Sequence, residues 1–342
     1  MSGPLVVSLF TGAGGLDLGL ELAGFRVAAA VEVDTVRAET VSANMPHIHI
    51  LNQDVRSLST KEILDAAGLL PGEVALVAAG PPCQPFSKAA QWVRGDRANL
   101  DPRAQLVIEF ARVVKEIRPV AFLMENVPGL AGKHGRGLFE AFLKEVSEEY
   151  QVKHRILDAV SYGVPQKRRR LFVLGFRKDL GTQPAFPNPT HGPNTGRPYV
   201  TAGEAIGDLD DGVVREDEVP NGKWGHLLSK IPPGMNYIWL TEKHSERPVF
   251  RYRSRYWSFL LKLHPDKPSW TIPANPGPYT GPFHWRSRRL RINEVKRLQT
   301  FPDNWLLAGS PREQWRQLGD AVPPLLAQRI GEEILKRIAD VA

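Results

Sequence analysis

The sequence predicts an α/β protein with a doubly wound, mostly parallel sheet and a second, smaller and irregular region. Three observations support this fold class. Short apolar runs alternate with amphipathic helical segments over the first half of the 342-residue chain. The first run, Leu5–Phe10, leads through the glycine-rich turn Thr11–Gly15 into a helical segment, as at the start of a nucleotide-binding unit. After about Lys178 the composition changes, and 15 of the 29 prolines fall between Gly181 and Pro282.

The predicted elements alternate in order along the chain. Apolar runs indicate the strands Leu5–Phe10, Phe25–Val33, Ile48–Leu51, Val74–Ala79, Val120–Met124 and Leu171–Phe176. Apolar residues at helical spacing indicate helices over Leu16–Ala23, Val36–Ala43, Thr60–Ala67, Leu106–Ile117, Leu138–Val146, Ile292–Pro302 and Leu325–Ile338. Ser59 and the pair Asp101-Pro102 supply helix-starting signals, and Leu318–Pro324 is predicted to be a glycine–proline turn.

Polar residues follow several of the predicted strands. The glycine turn, Glu32, Asp54, Cys83 and Glu125 each come just after a strand. Parallel crossovers place all carboxyl ends at one edge of the sheet, where such folds bind ligands. An acid after the second strand is where a ribose diol is held, although a lone strand-end carboxylate is more often simply solvated. The convergence of these residues at one edge of the sheet predicts a single ligand-binding cleft.

Cys83 is the only cysteine, and it lies in the segment Gly80-Pro81-Pro82-Cys83-Gln84-Pro85-Phe86-Ser87. Most lone cysteines are small buried apolar residues. Three prolines around the thiol, directly after a buried strand, instead favour a reactive group on a stiff loop. The basic run Gln166–Arg170, just before a strong strand, also borders the inferred cleft and favours anion binding there.

Charge is distributed unevenly. The net charge is +7, but Arg247–Arg297 alone has twelve Lys and Arg against two acids, a net +10, so the remaining residues carry −3. Aromatic residues interleave with these arginines between Phe250 and Trp285, which favours a nucleic-acid-binding surface over a small core with a basic rim. The acidic stretch Glu204–Glu218 is predicted to be a solvated face.

The composition excludes several classes of protein and of metal site. No apolar run approaches the ~20 residues that span a bilayer, so no membrane association is expected. A single cysteine excludes an internal disulfide and a cysteine-built zinc site, and no metal is expected. We expect a cytoplasmic protein, and a monomer, since no dimer seam is evident.

Six motifs follow one another along the chain: FTGAGGLDLGL from Phe10, GPPCQPFS from Gly80, ENV from Glu125, QKRRR from Gln166, RLQTFP from Arg297 and GDAVPPLLA from Gly319. In this order they resemble the motifs of the cytosine-C5 DNA methyltransferase family. The resemblance implies a prokaryotic enzyme of the restriction–modification type, with double-stranded DNA as partner and a cognate restriction endonuclease acting on the same site. It also implies a catalytic domain of residues 1–177, completed by residues 318–342, and a smaller DNA target-recognition domain of residues 178–317.

The family implies S-adenosylmethionine as methyl donor and assigns residues to it. These are Phe10 on the adenine, Gly12, Gly14, Gly15 and Leu16 around the methionine part, Glu32 on the ribose, Asp54 and Val55 at the adenine edge, and Pro81, Leu106, Asp320 and Val322 as further contacts. One position departs from the family, which commonly has asparagine where this chain has Asp320.

The family also implies a covalent mechanism. The Cys83 thiolate adds to carbon 6 of a flipped-out cytosine, which activates carbon 5 as a nucleophile toward the donor's methyl group. Glu125 binds ring nitrogen 3 and the exocyclic amine, Arg170 binds O2, and Arg168 binds a phosphate.

Three other functions are consistent with parts of the sequence. A transfer RNA cytosine-C5 methyltransferase shares the motifs but carries a Cys-Phe-Thr tripeptide, whereas this chain has no second cysteine. A non-catalytic DNA-binding regulator on the same fold is expected to lose the thiol or the glutamate. A nucleotide-dependent dehydrogenase shares the glycine turn but has no role for the Pro-Pro-Cys loop.

Overall fold

The structure, a computed structural model, describes residues 3–70, 72–82, 105–253 and 256–340. Cys83 and the pair Asp101-Pro102 lie outside these ranges. Within them, no helix is long and apolar enough to cross a membrane.

The predicted fold class is confirmed by a seven-stranded, mostly parallel sheet with the strand order β3-β2-β1-β4-β5-β8-β6. The strands are β1 (Leu5–Leu9), β2 (Arg26–Val31), β3 (His49–Leu51), β4 (Leu76–Ala79), β5 (Ala121–Asn126), β6 (Tyr150–Asp158) and β8 (Arg169–Arg177). The first five pair in parallel, and β8 runs antiparallel between β5 and β6. A separate two-stranded sheet pairs β7 (Gln166–Lys167) with β9 (Ser269–Trp270).

Helices cover both faces of the sheet. They are α1 (Gly15–Leu22), α2 (Thr35–Asn44), α3 (Thr60–Ala67), α4 (Leu106–Ile117), α5 (Arg136–Ser147), α6 (Ala202–Ile206), α7 (Ile292–Leu298), α8 (Pro311–Asp320) and α9 (Pro324–Ala339). Two large buried clusters, one on each face, form the core around the sheet, and a third, smaller cluster in the second region includes Phe283, with Phe259 and Tyr279 packed against it, so part of the aromatic stretch Phe250–Trp285 forms a small core. The predicted capping box is present at α3, where Ser59 accepts from the Glu62 N–H and the Glu62 carboxylate accepts from the Ser59 N–H.

The terminal helix α9 packs on α1, so the two ends of the chain share one core. A β-carbon at Gly19 of α1 would overlap the Ala327 side chain and the Pro324 carbonyl oxygen of α9. The backbones of the two helices therefore approach as closely as glycine allows.

Strands β6, β7 and β9 and helices α6 and α8 were missed from the sequence, and β6 and α8 are the longest of them. Strand β6 lies at the sheet edge, and the exposed polar side chains of Lys153, His154 and Arg155 hide any strand alternation. Residues Leu318 to Asp320, predicted as part of a turn, instead end helix α8. The capping box Ser310–Glu313, with proline at the first helical position, is the signal that could have predicted it.

The prediction that Glu204–Glu218 is a solvated face is confirmed for most of the stretch, which is exposed, and is wrong for Asp210 and Glu218, whose side chains are only 8% and 11% exposed. Asp208 binds Arg297, Asp210 binds Arg286, and Glu218 binds Arg291. A further pair, between Arg288 and Glu294, is fully buried, with Nη2–Oε1 2.6 Å. The acidic stretch thus neutralises part of the +10 segment, and long-range pairing of this kind leaves no local pattern in the sequence.

We predict that Gly19→Ala lowers the free energy of unfolding by about 1–3 kcal/mol, because the added methyl group must separate two packed backbones. Gly137→Ala in α5 is the matched control, since a β-carbon there meets nothing within 4 Å. Thermal denaturation should show a lower melting temperature for the first variant and an equal or slightly higher one for the second. Equal melting temperatures would contradict the close packing of α1 on α9.

Candidate active site

A cavity of about 420 Å³ opens at the carboxyl edge of the parallel strands. Its size suits a small-molecule ligand. The residues around it come from the ends of β1, β2, β4 and β5, from α2, and from the end of α8. Predicted site residues that line it are Phe10, Gly12, Gly15, Leu16, Glu32, Asp54, Val55, Pro81, Leu106, Glu125, Arg170, Asp320 and Val322.

Glu32 is held at the floor of this cavity by backbone donors. The Gly12 N–H donates to Oε2 (2.8 Å) and the Asp34 N–H donates to Oε1 (2.9 Å). Burial raises the pKa of Glu32, although these two hydrogen bonds act against the rise. The carboxylate is therefore fixed in orientation and can accept hydroxyl donors from a ligand, as a ribose would supply.

The glycine turn meets the last motif directly. A β-carbon at Gly15 would overlap the Val322 carbonyl oxygen, so the two motifs form one continuous wall. Gly14 does not line the cavity. It takes a left-handed conformation (φ 78°), and a β-carbon there would face Val41 and Trp305, which belong to the core.

Asp54 follows β3 and Glu125 lies at the end of β5, so the strand order places them at opposite ends of the cavity. Its carboxylate accepts from the Arg56 backbone N–H (2.9 Å) and from the Arg56 guanidinium. The hydrogen bonds from Arg56 lower the pKa of Asp54, so the group is a fixed anion at the end where the resemblance places the adenine.

Glu125 and Arg170 form a nearly buried ion pair beside the cavity. Arg170 Nε lies 2.9 Å from Glu125 Oε1, and Glu125 is 7% exposed. The antiparallel register of β5 with β8 places Glu125 opposite Phe172, two residues after Arg170, which brings the two side chains together. Burial raises the pKa of Glu125, while Arg170 and Arg168 lower it, and the net direction is upward. A carboxyl group with a raised pKa keeps its proton over a wider pH range than usual and can therefore act as a proton donor.

Gly80 and Pro81, which precede Cys83, lie next to the strand end that carries Glu125. In the parallel register of β4 with β5, Ala79 lies opposite Met124, so Gly80 faces Glu125. A β-carbon on Gly80 would lie 3.7 Å from Glu125 Oε2. The buried Asn126 amide donates to the Pro81 carbonyl (3.1 Å) and secures the start of the loop. This described segment ends at Pro82, one residue before Cys83, and Pro82 lines the same cavity as Glu125 and Arg170.

Arg168, the second arginine predicted for the site, does not line the cavity. It is fully buried, and its guanidinium donates to the carbonyl oxygens of Ile272 (3.3 Å), Gly319 (2.7 Å) and Ala321 (2.9 Å). Its donors are directed at the backbone, which gives it no access to a phosphate in this arrangement. The placement assigns Arg168 to the support of the last motif, on the interior side of the strand that carries Arg170.

Some lining residues were not predicted. Arg37 projects from the first turn of α2, and Arg316 and Gln317 project from α8. No motif marks Arg37, because its role depends on a partner 283 positions away, Asp320.

Asp17, in the first turn of α1, is fully buried beneath the turn and accepts from the Thr11 hydroxyl. Burial, supported by the nearby charges of Glu21 and Glu32, raises the pKa of Asp17 from 3.8 to about 7. Between about pH 4 and pH 7 the folded protein therefore holds a proton that the unfolded chain has released. Stability contributed by this proton is complete below about pH 4 and is lost as pH rises through about 7.

We predict that the free energy of unfolding of the wild type falls by about 2–4 kcal/mol more between pH 4 and pH 8 than that of Asp17→Asn. Denaturant titrations across this range would measure the difference. Asp266→Asn, which removes an exposed carboxylate, serves as the control and should follow the wild type. Parallel curves for the wild type and Asp17→Asn would show that Asp17 does not titrate in this range.

Comparison with known proteins agrees with this geometry. Residues 5–336 match the family model described as C-5 cytosine-specific DNA methylase. The Type II methyltransferase M.SacI of Streptomyces achromogenes is 40% identical over 97% of this chain and 93% of its own length. The Type II methyltransferase M1.HphI of Haemophilus parahaemolyticus is 36% identical over 96% of this chain and 86% of its own length.

Solved structures agree as well. A protein described as a DNA modification methyltransferase of an E. coli prophage superposes with a TM-score of 0.71 at 26% identity, over 98% of this chain and 99% of that one. The DNMT2 protein of Spodoptera frugiperda, at 18% identity, has the same fold, with a TM-score of 0.66 over 96% of this chain and 99% of that one.

Proposed function

This chain belongs to the C-5 cytosine-specific DNA methylase family, and from this premise we propose how its own residues perform the reaction. It is a DNA cytosine-5-methyltransferase of the restriction–modification type. The observation that carries the residue assignment is the juxtaposition at one sheet edge of Glu125, Arg170 and the start of the Cys83 loop.

The cavity is the proposed site for S-adenosylmethionine. Phe10 offers a ring for the adenine, the backbone-held Glu32 offers two acceptors for the ribose hydroxyls, and Asp54 offers an anion for the amine of the base. S-adenosylmethionine supplies the methyl group when it is bound. Leu106 and Val322 complete the apolar part of the wall.

Cys83 is the proposed nucleophile. Its thiolate adds to carbon 6 of a cytosine that has been flipped out of the duplex, because the ring is inaccessible while stacked. Addition moves negative charge onto ring nitrogen 3, where the Glu125 carboxyl, with its raised pKa, provides a proton. Arg170, adjacent to Glu125, binds O2 of the same ring. After carbon 5 has taken the methyl group, a base such as water removes the carbon 5 proton, the 5,6 double bond re-forms and the thiolate is expelled, and the proton on nitrogen 3 returns to Glu125.

The proposed DNA-binding surface extends from the Glu125–Arg170 pair into the second region, residues 178–317. Lys167 lies over the Trp270 ring (5.0 Å to the centroid), and Trp257 packs edge-on against Trp270. Farther along, Arg251 and Arg253 are exposed, and neither forms an ion pair within the described part of the chain. We therefore propose residues 178–317 as the target-recognition domain, with 1–177 and 318–342 as the catalytic domain.

The names of the relatives also support a partner. Proteins called Type II methyltransferases act within restriction–modification systems, so a cognate endonuclease that cleaves the same unmethylated site is proposed here. A monomer suffices, since the proposed residues of both sites come from one chain.

We predict that Cys83→Ala abolishes methyl transfer and retains DNA binding, and that Glu125→Gln lowers the rate by about 10²–10⁴-fold. Transfer of labelled methyl groups from S-adenosylmethionine to duplex DNA measures both, and bisulfite sequencing of DNA from expressing cells locates the target cytosine. Glu140→Gln, an exposed glutamate of α5, is the control for charge removal. Full activity of the alanine variant would refute the covalent mechanism, and methylation of transfer RNA in preference to DNA would refute the substrate.

We predict that replacing both Arg251 and Arg253 by Gln reduces the slope of log affinity against log salt by about 2, since each phosphate contact contributes about 0.9. Arg286→Gln is the matched control, because Asp210 already neutralises Arg286, at 2.7 Å. Binding of a duplex oligonucleotide at several salt concentrations would measure the slopes. If the Arg286 variant lost as much slope as the double variant, the proposed surface would be misplaced.

A further inference from the structure

Arg37 and Asp320 form an ion pair across the cavity, at the position where this chain departs from the family pattern. Arg37 Nη2 lies 2.6 Å from Asp320 Oδ2, and the side chains are 17% and 22% exposed. Arg37 comes from the first turn of α2, and Asp320 is the last residue of α8. Both line the cavity, so the pair joins two walls that are distant in sequence.

Each member of the pair keeps an unused hydrogen-bonding group. A guanidinium has five donors and a carboxylate has two acceptor oxygens. Among the described residues, Arg37 Nη1 donates to no acceptor, and Asp320 Oδ1 accepts from no donor. Arg37 Nη1 lies 3.8 Å from where a β-carbon of Gly12 would stand, which places it beside the glycine turn. The pair therefore presents an adjacent cationic donor and anionic acceptor.

The location of the pair along the cavity identifies the part of the ligand that it would meet. Burial lowers the pKa of Arg37, but the negative charges of Asp320, Glu32 and Asp34 raise it by more. The net effect is a raised pKa, so the guanidinium stays charged. Arg37 contacts Asp320 at the end of α8 and lies beside Gly12, whose N–H donates to the proposed ribose ligand Glu32. With adenine and ribose at Asp54 and Glu32, the next part of the ligand is the amino-acid end.

We propose that the Arg37–Asp320 pair binds the zwitterionic amino-acid end of S-adenosylmethionine, Arg37 through the carboxylate and Asp320 through the ammonium. This inference rests on the proposed donor site. The ligand carries its two opposite charges on groups attached to one carbon atom, and a guanidinium and a carboxylate joined by a 2.6 Å Nη2–Oδ2 contact place their remaining donor and acceptor groups side by side for them. The pair also accounts for aspartate at position 320, since an arginine across the cavity stabilises the charge that asparagine would lack.

The test measures binding by calorimetry with the full chain and without DNA. The ligands are S-adenosylhomocysteine, S-adenosylmethionine and decarboxylated S-adenosylmethionine, which lacks only the carboxylate. We expect Arg37→Met to weaken the first two about 10–100-fold, the range for a charge-assisted hydrogen bond, and to change the third less than about 3-fold. Arg37→Lys should recover part of the loss.

Arg56→Met is the matched control, because Arg56 forms a similar pair with Asp54 at the adenine end of the same cavity. Any effect of this variant should be equal for the three ligands. Asp320→Asn should weaken all three ligands, which carry the ammonium, and spare 5′-methylthioadenosine, which lacks the amino-acid end.

The outcomes separate this inference from the proposed function. Equal weakening of all three ligands by Arg37→Met would show that the pair only holds the walls together, and no weakening would show that it does not meet the ligand; either result overturns the inference alone. Failure of the wild type to bind any of the ligands would overturn the donor site and the inference together.

Discussion

The close approach of the first helix to the last is the constraint on which the cavity depends. Gly15 and Gly19 leave room for the backbone of Val322 and Pro324, so the turn that follows β1 and the segment between α8 and α9 form one wall. A side chain at either glycine would separate the two ends of the chain and widen the cavity. The resemblance places donor contacts in the first and last motifs, and this packing explains why two motifs so far apart in sequence serve a single site.

A buried polar network links the second region to this wall. The Gln166 side chain accepts from the Ile272 N–H (3.1 Å) and donates to Gln299 Oε1 (3.0 Å), and Gln299 in turn donates to the Leu318 carbonyl. Arg168 binds the carbonyls that follow Leu318. Because buried polar groups are costly when unpaired, the network fixes the strand carrying Arg170 relative to both α8 and the proposed recognition segment. A displacement of the recognition segment on binding DNA would therefore change the position of Arg170.

Much of this site could be predicted from the sequence because strand ends are a local signal. Apolar runs located β1 to β5, and parallel crossovers then required Glu32 and Glu125 to share an edge. The rest depends on long-range partners that no local pattern encodes. The basic run containing Arg168 was read as anion-binding, yet that guanidinium serves carbonyls from two distant segments, and Asp210 was read as solvated, yet it binds Arg286. Cys83 lies outside the described residues, so its assignment still rests on sequence.

Two of the arginine–carboxylate pairs that line the cavity, Arg170–Glu125 and Arg37–Asp320, share one arrangement. In each, one guanidinium nitrogen binds one carboxylate oxygen: Arg170 with Glu125 at 2.9 Å, and Arg37 with Asp320 at 2.6 Å. Pairing compensates each charge in the absence of ligand, which limits the cost of burying it. At one pair, Arg170 and the protonated Glu125 carboxyl are donors for O2 and N3 of cytosine, which both accept; at the other, a donor lies next to an acceptor, as an amino acid requires. In the proposed mechanism the ligands therefore meet charges that are already oriented, and little reorganisation accompanies binding.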